Sequence, residues 1–442
     1  MIKRILAMLI LLTPCMLQAE DTLLHEQHLT YEGAFRMPGS AGFGYSGYAM
    51  TYNPANNSLF MASIYRETMA EVSIPALVKS SNPSSLNVAT VLQNWADPTE
   101  GGKNYLGSGG TYIDGGMIYI SGSLVYNNKL IGATSSFYPG GLEYLSHWDR
   151  SLNLSTSESF RGNFRIGSDG YHPNHKAAYM GHIPTAYQTA LGGDILTGQN
   201  GTSIVTMTSF GPSLWAFDGA DIATENPIPA NHLVGYPAGG GMQTLGQYED
   251  QGLVPPNPYW SSASNAWGVV FPEGSKTVLM FGRHGTGYWC YKSSCSTNFP
   301  LLYPTEPGGN DARPFIYQVW AYNVDDLIAA KEGHVVTQTD YDNNRFWTGE
   351  YPNHSTLAVG QTVHPWNVVP YDKWELDLPT PPVDINTGVF LTGAGYDPTT
   401  QKIYLAQFRA SGDEPVIHAY SLNLTSSPPG KRYRYGGVSS QN

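Results

Sequence analysis

Cysteine is nearly missing from this chain: three residues in 442 exclude a disulfide-laced scaffold and a cysteine-rich metal domain. Charge is scarce too, at 13% of residues against the usual quarter, and its balance is acidic, with a formal net charge of −12. No Lys/Arg-rich run is present, which argues against nucleic acid as a partner. Beyond the first residues no apolar run is long enough to span a bilayer. Two catalytic signatures are also absent. No Gly-x-Ser-x-Gly elbow occurs, and Gly282-Arg283-His284-Gly285-Thr286-Gly287 lacks the Lys-Ser/Thr ending of a phosphate loop.

The chain is rich instead in glycine (49), proline (31) and tyrosine (30), a composition of many strands, many turns and aromatic loops. Lys3 and Arg4 precede an apolar run from Ile5 to Leu12, and Ala19 offers a small residue for cleavage. Residues 1–19 therefore read as a secretory signal peptide, and the remainder, 20–442, as one secreted or periplasmic domain. In such a compartment Cys290 and Cys295 read as a loop-closing disulfide. The alternative joins them to His284 as ligands of a structural zinc.

One pattern recurs along the chain. Gly47 to Ser63 contains a small-residue strand, the turn Asn53-Pro54, a polar corner and a second apolar strand. Gly393 to Phe408 repeats it around Asp397-Pro398, and Trp267 to Gly282 around Pro272-Glu273-Gly274. Looser copies are placed at Gly109–Gly122 and Gly192–Ser209. Sequential antiparallel strands repeated at intervals of tens of residues predict an all-β fold, a β-propeller. At roughly sixty residues per blade the chain makes seven, with five or six left open. Degenerate blades are expected around His334–Tyr351 and between Lys129 and Leu154. Asp325 to Lys331 reads as a short helix with an Asp cap.

Aligned at the second strand, the copies place Tyr65-Arg66, Arg283-His284 and Arg409 at one shared turn, with Tyr126 in the second copy. Arg forks bind carboxylate or sulfate bidentately, so this rim is expected to hold anions. His147 and the loop carrying His172, His175 and His182 supply imidazoles able to take a proton, and Tyr138 a hydroxyl able to return one. Asp114, Asp194 and Asp397 are the acids that a glycoside hydrolase would need.

The segment Tyr31–Pro75, with Gly-Ala-Phe-Arg-x-Pro at Gly33–Pro38 and Tyr-Asn-Pro-Ala-Asn-Asn-Ser-Leu-Phe at Tyr52–Phe60, resembles a large family of exported bacterial proteins of unknown function, as does Trp320–Gly333. The His/Tyr/Arg complement is also similar to that of the propeller-type ulvan lyases. That resemblance implies β-elimination by a His and a Tyr beside an Arg that neutralises a uronate carboxylate, with zinc on a His/Cys loop. The matching positions are His147, His175, Tyr138 and Arg283, with His284, Cys290 and Cys295 at the metal loop.

The expectation is a monomeric secreted propeller that binds an anionic polysaccharide and cleaves it as a lyase. Arg66, Tyr65, Arg409, His172 and Tyr126 would bind the substrate. A non-catalytic carbohydrate- or protein-binding propeller and a glycoside hydrolase are the alternatives. No cofactor is required, structural zinc or calcium being the metal roles left open, and neither nucleic acid nor membrane is an expected partner.

Overall fold

Five antiparallel sheets stand around one axis in the structure, a computed structural model. It describes residues 22–424 apart from 40, 115–116, 138–140, 200, 203–206, 238–243, 247–255, 350–352 and 385–387. The signal-peptide segment lies outside these residues. Blade one is built from Tyr48–Asn53, Ser58–Ala62, Met69–Ser73 and Val91–Ala96. Blade two uses Ile118–Tyr126, Lys129–Ser136, His147–Ser151 and Arg161–Phe164. Blade three uses Met180–His182, Ile195–Gly198, Leu214–Phe217 and Ala230–Val234. Blade four uses Asn265–Val270, Thr277–Gly285, Phe315–Asn323 and Asp372–Glu375, with Gly201–Thr202 added at its inner edge. Blade five takes Leu391–Asp397, Lys402–Ser411 and Glu414–Leu422 from the C-terminal part and Leu29–Arg36 from the N-terminal part. That last pairing runs in register from Leu29↔Leu422 to Arg36↔Val416 and closes the ring.

The first strand of each blade lies innermost, and these five touch in a cycle: one to two, two to three, three to four, four to five, five to one. A ring of five leaves little room at its axis, which accounts for the small residues that mark these strands. A Cβ on Gly122 would overlap the Ala178 carbonyl, and one on Gly268 would sit 2.5 Å from Ala394 Cβ. Hydrogen bonds then cross between inner strands. Ser123 Oγ donates to the Ala49 carbonyl (2.6 Å), and His182 Nε2 to the Val125 carbonyl (3.0 Å). The cores lie between blades, filled by large side chains such as Trp148, Trp215, Trp320 and Phe60, all buried.

The repeat motif has a local cause. In blade one Glu71 is fully buried, and it accepts from Asn53 (2.7 Å), Asn56 (2.9 Å), Ser58 (2.5 Å) and Gln93 (2.6 Å). Burial pushes its carboxyl up, but those hydrogen bonds outweigh it and hold the group below its usual value. In blade five Asp397 takes over the corner, accepting from Thr399 N–H (2.9 Å) and Thr400 Oγ1 (2.5 Å).

Seven blades are not what the described residues form. Lys129–Leu154 is no extra blade but the middle of blade two, which the loose copy at Gly109–Gly122 had displaced by one strand. The wide interval before the last copy holds helices Val324–Glu332 and Gln338–Asp342 and the small ladder Trp347–Thr348/Ser355–Thr356. The first of these helices is capped by Asn323, whose side chain accepts from Asp325 N–H, rather than by an Asp. The copy at Gly192–Ser209 is displaced in the same way: Ile195–Gly198 is the second strand of blade three, its first being Met180–His182.

Candidate functional site

All five inner strands run the same way along the axis, so one mouth collects their beginnings together with the ends of the second strands. Arg66 lies just past the second strand of blade one, in a left-handed backbone conformation (φ 53°). Its N–H donates to the Ser63 carbonyl (2.9 Å), and its own carbonyl accepts from Ile120 N–H (2.7 Å), which pins it to blade two. Arg283 sits on the second strand of blade four, directly opposite Asn265 and Tyr317.

Between them stands a block of aromatic rings. The Arg66 guanidinium carbon lies 3.5 Å from the Tyr119 ring centre, 4.8 Å from Tyr48 and 5.1 Å from Trp267. The Arg283 guanidinium lies 4.2 Å from Phe315 and 4.8 Å from Phe390. Tyr48 joins the two halves, at 5.5 Å from Trp267 and 6.3 Å from Phe390. Both residues are half-buried, with Arg66 Nη1 and Arg283 Nε themselves covered. Among the described residues neither has a carboxylate within ion-pair distance, although Arg150, Arg161, Arg313, Arg345 and Arg409 each have one. Arg66 Nη1, Arg283 Nε and Trp267 Nε1 lack an acceptor, and Asn265 Oδ1 lacks a donor.

Desolvation weakens both cations without discharging them. Burial lowers Arg66 and brings Arg283 down to about 10, the latter opposed by Asp311 and Tyr48. Burial raises Tyr48, against the pull of Arg66 and Arg283, so at neutral pH the phenol is protonated and the guanidiniums are charged. The result is a pair of positive charges with unused donors, walled by rings, in a protein of net charge −12. Such a site suits an oxyanion, because an unmatched buried donor costs about 1–3 kcal/mol until an acceptor arrives.

The residues singled out in the sequence divide. Arg66 and Arg283 come together as expected, with Tyr65 largely exposed beside Arg66. Arg409 reaches the edge of the same mouth, 4.6 Å from the Tyr45 ring, but it is bonded to Asp413 (2.9 Å). Tyr126 lies at the opposite mouth, at the far end of its inner strand, and donates to Asp194 (2.6 Å). Its assignment to the Arg rim came from the displaced second copy. His147 is buried among blades two and three, bonded to Ser146 Oγ (2.8 Å) and Thr197 Oγ1 (3.1 Å), and burial drives its pKa down to about 3. His175 is buried against Tyr171, with a pKa far below the usual value from desolvation first and then His232. His172 bonds Glu143 (2.8 Å). Tyr138 lies outside the described residues. The described structure therefore does not bring a histidine base to Arg283.

The zinc loop is corrected as well. Cys290 and Cys295 form a disulfide, and His284 spends its nitrogens on Ser264 Oγ (2.9 Å) and the Asn257 carbonyl (2.8 Å). No group of three His, Cys, Asp or Glu side chains able to hold a metal occurs among the described residues. The acids Asp194 and Asp397 belong to the opposite mouth, while Asp114 is exposed.

Tyr48, Tyr119, Trp267 and Phe390 were missed. Each lies within two residues of the start of a small-residue inner strand, and that position was their available signal.

No family model matches the chain, and no curated protein sequence does, so the resemblances to exported proteins and to ulvan lyases rest on their residues alone. Solved structures do align along most of its length. A PQQ-bound aldose sugar dehydrogenase from Streptomyces coelicolor is 10% identical, covering 89% of this chain and 98% of its own, with a TM-score of 0.30. A gluconolactonase from Xanthomonas campestris is 10% identical over 91% and 94%, TM-score 0.33. A glycosyl hydrolase from Bacteroides ovatus is 10% identical over 90% and 96%, TM-score 0.36. These likenesses are too distant to carry residues or activity across.

Proposed function

We propose that this protein is a secreted propeller that binds an anionic polysaccharide, uronate-containing or sulfated, at the Arg66–Arg283 mouth. The observation that carries the reading is the pair of guanidiniums without carboxylate partners among the described residues, set among Tyr48, Tyr119, Trp267 and Phe390. Carboxylate or sulfate groups satisfy the unused N–H donors, and the exposed Tyr65 and the ring of Tyr45 offer faces for sugar rings. The Cys290–Cys295 disulfide fits an oxidising compartment, and no helix among the described residues is long and apolar enough to cross a membrane.

Binding is favoured over β-elimination because the two histidines expected to act as base are buried and engaged elsewhere, His147 with Ser146, Thr197 and Phe217 and His175 with Tyr171. Affinity electrophoresis against uronate-rich, sulfated and neutral glycans tests the proposal. Retention by the anionic glycans, lost in Arg66→Ala/Arg283→Ala, is expected. Retention that survives the double replacement overturns it. Absorbance of an unsaturated product during the same incubation would restore the lyase reading.

A further inference from the structure

The opposite mouth of the axis holds a small pocket, partly open to solvent, that the anion reading does not use. Its floor is the inner strands themselves, where Gly181 and Gly395 leave space. Its wall carries four rings, Tyr52, Tyr396, Phe271 and His182, one from each of four different blades' first strands or the residue just after one. Leu124, Met180 and the prolines Pro54 and Pro398 complete an apolar lining.

Carboxylates stand behind these rings. The Tyr52 hydroxyl donates to Asn57 Oδ1 (3.1 Å), and Asp397 acts electrostatically on both Tyr52 and Tyr396. Glu273 is exposed beside Tyr396, whose hydroxyl accepts the Glu273 N–H at 3.2 Å. Asp194 lies behind His182 through Tyr126, which donates to it and stacks on the imidazole at 6.3 Å. His182, an exposed residue whose ring is held between neighbours, donates Nε2–H to the Val125 carbonyl, and desolvation lowers its pKa. Among the described residues no Lys or Arg lines this pocket.

Aromatic faces around an apolar pit, with negative charge just outside, attract a cation that carries its own apolar surface. An anion would be repelled by the nearby Asp397 and Glu273, which stand outside the lining. A strongly hydrated ammonium would forfeit its water against Leu124 and Met180. A methylated ammonium loses little hydration and gains the ring quadrupoles.

We propose that this pocket binds a small methylated or quaternary ammonium ligand, caged by Tyr52, Tyr396, Phe271 and His182. The inference is independent of the glycan reading, since it concerns the other end of the axis.

Choline and its uncharged carbon isostere, dimethylbutanol, serve as probes, titrated by calorimetry and by ligand-observed NMR into the intact protein. Choline is expected to bind at least tenfold more tightly than the isostere. Tyr52→Leu should weaken choline about tenfold, and Glu273→Gln should weaken choline while leaving the isostere unchanged. Arg66→Ala should change neither. A folded protein, verified by its melting transition, that binds both probes equally or neither overturns the proposal. If Tyr52→Leu fails to fold, the exposed Glu273→Gln decides: an unchanged choline affinity there overturns it as well.

Discussion

The two mouths of the axis are built from the same five strands and have opposite chemistry. At the mouth where the inner strands begin, Arg66 and Arg283 stand among Tyr48, Trp267 and Phe390, with no carboxylate partner among the described residues. At the mouth where they end, Tyr52, Tyr396 and His182 surround an apolar pit backed by Asp397, Glu273 and Asp194. The difference shows that a propeller separates side-chain chemistry along its axis by strand direction. A residue displaced by one strand in the repeat alignment moves to the other mouth, as Tyr126 did.

The comparison breaks most completely if the axis itself is spread. Gly122→Val would drive a side chain into the Ala178 backbone, where blades two and three meet. A loss of about 3 kcal/mol or more is expected, read as a failure to fold or a large fall in melting temperature, and both mouths should lose their ligands together. An unchanged melt would show that the inner strands are not so close.

A smaller and one-sided effect is expected from Arg66→Ala/Arg283→Ala. Anionic glycan binding should fall about 100-fold, two charge-assisted contacts at about 1.5–3 kcal/mol each being the upper range. Stability should hold or rise slightly, because desolvated cations without partners are removed. A marked drop in melting temperature would mean that these arginines are structural.

Acid should act on the walls between blades before it acts on either mouth. His147, His284 and His418 are buried and His232 is half-buried, with desolvation bringing each pKa to about 3. A pKa depressed in the folded state means that the unfolded chain binds more protons below its own value of about 6.5. Stability is therefore complete above pH 6.5 and is lost as pH falls from 6.5 toward 3, at up to about 1.4 kcal/mol per unit for each group. Melting temperatures across that range should fall with this sign, and His147→Gln should flatten the slope.

The smallest effect belongs to the Cys290–Cys295 disulfide. Its ring is so short that chain-entropy arguments give about 2 kcal/mol at most. Cys290→Ser/Cys295→Ser should shift the melt by a few degrees or less and leave both mouths functional, measured by the same binding assays. Loss of either ligand would tie that loop to a site.

Legibility in the sequence followed the turns. Blades one, four and five were read in phase because Asn53-Pro54, Pro272-Glu273-Gly274 and Asp397-Pro398 mark the hairpin between first and second strands. Blade two escaped because its hairpin turns on Asn127-Asn128, both with positive φ (46° and 59°), a two-residue signal that was passed over. Blade three escaped because its inner strand is three residues long and the helix Thr185–Leu191 separates it from the next. A repeat that short carries no periodicity to detect.

Local chemistry in the chain thus determined the strands, the small residues of the axis and the phase that sets Arg66 and Arg283 on one rim, since turns and alternation are encoded over a few neighbouring residues. Only the closed ring decided the rest: five blades instead of seven, the burial of His147 and His175, and the rings that wall each mouth. Those depend on Leu29–Arg36 pairing with Glu414–Leu422, a contact between distant parts of the chain that no local pattern records.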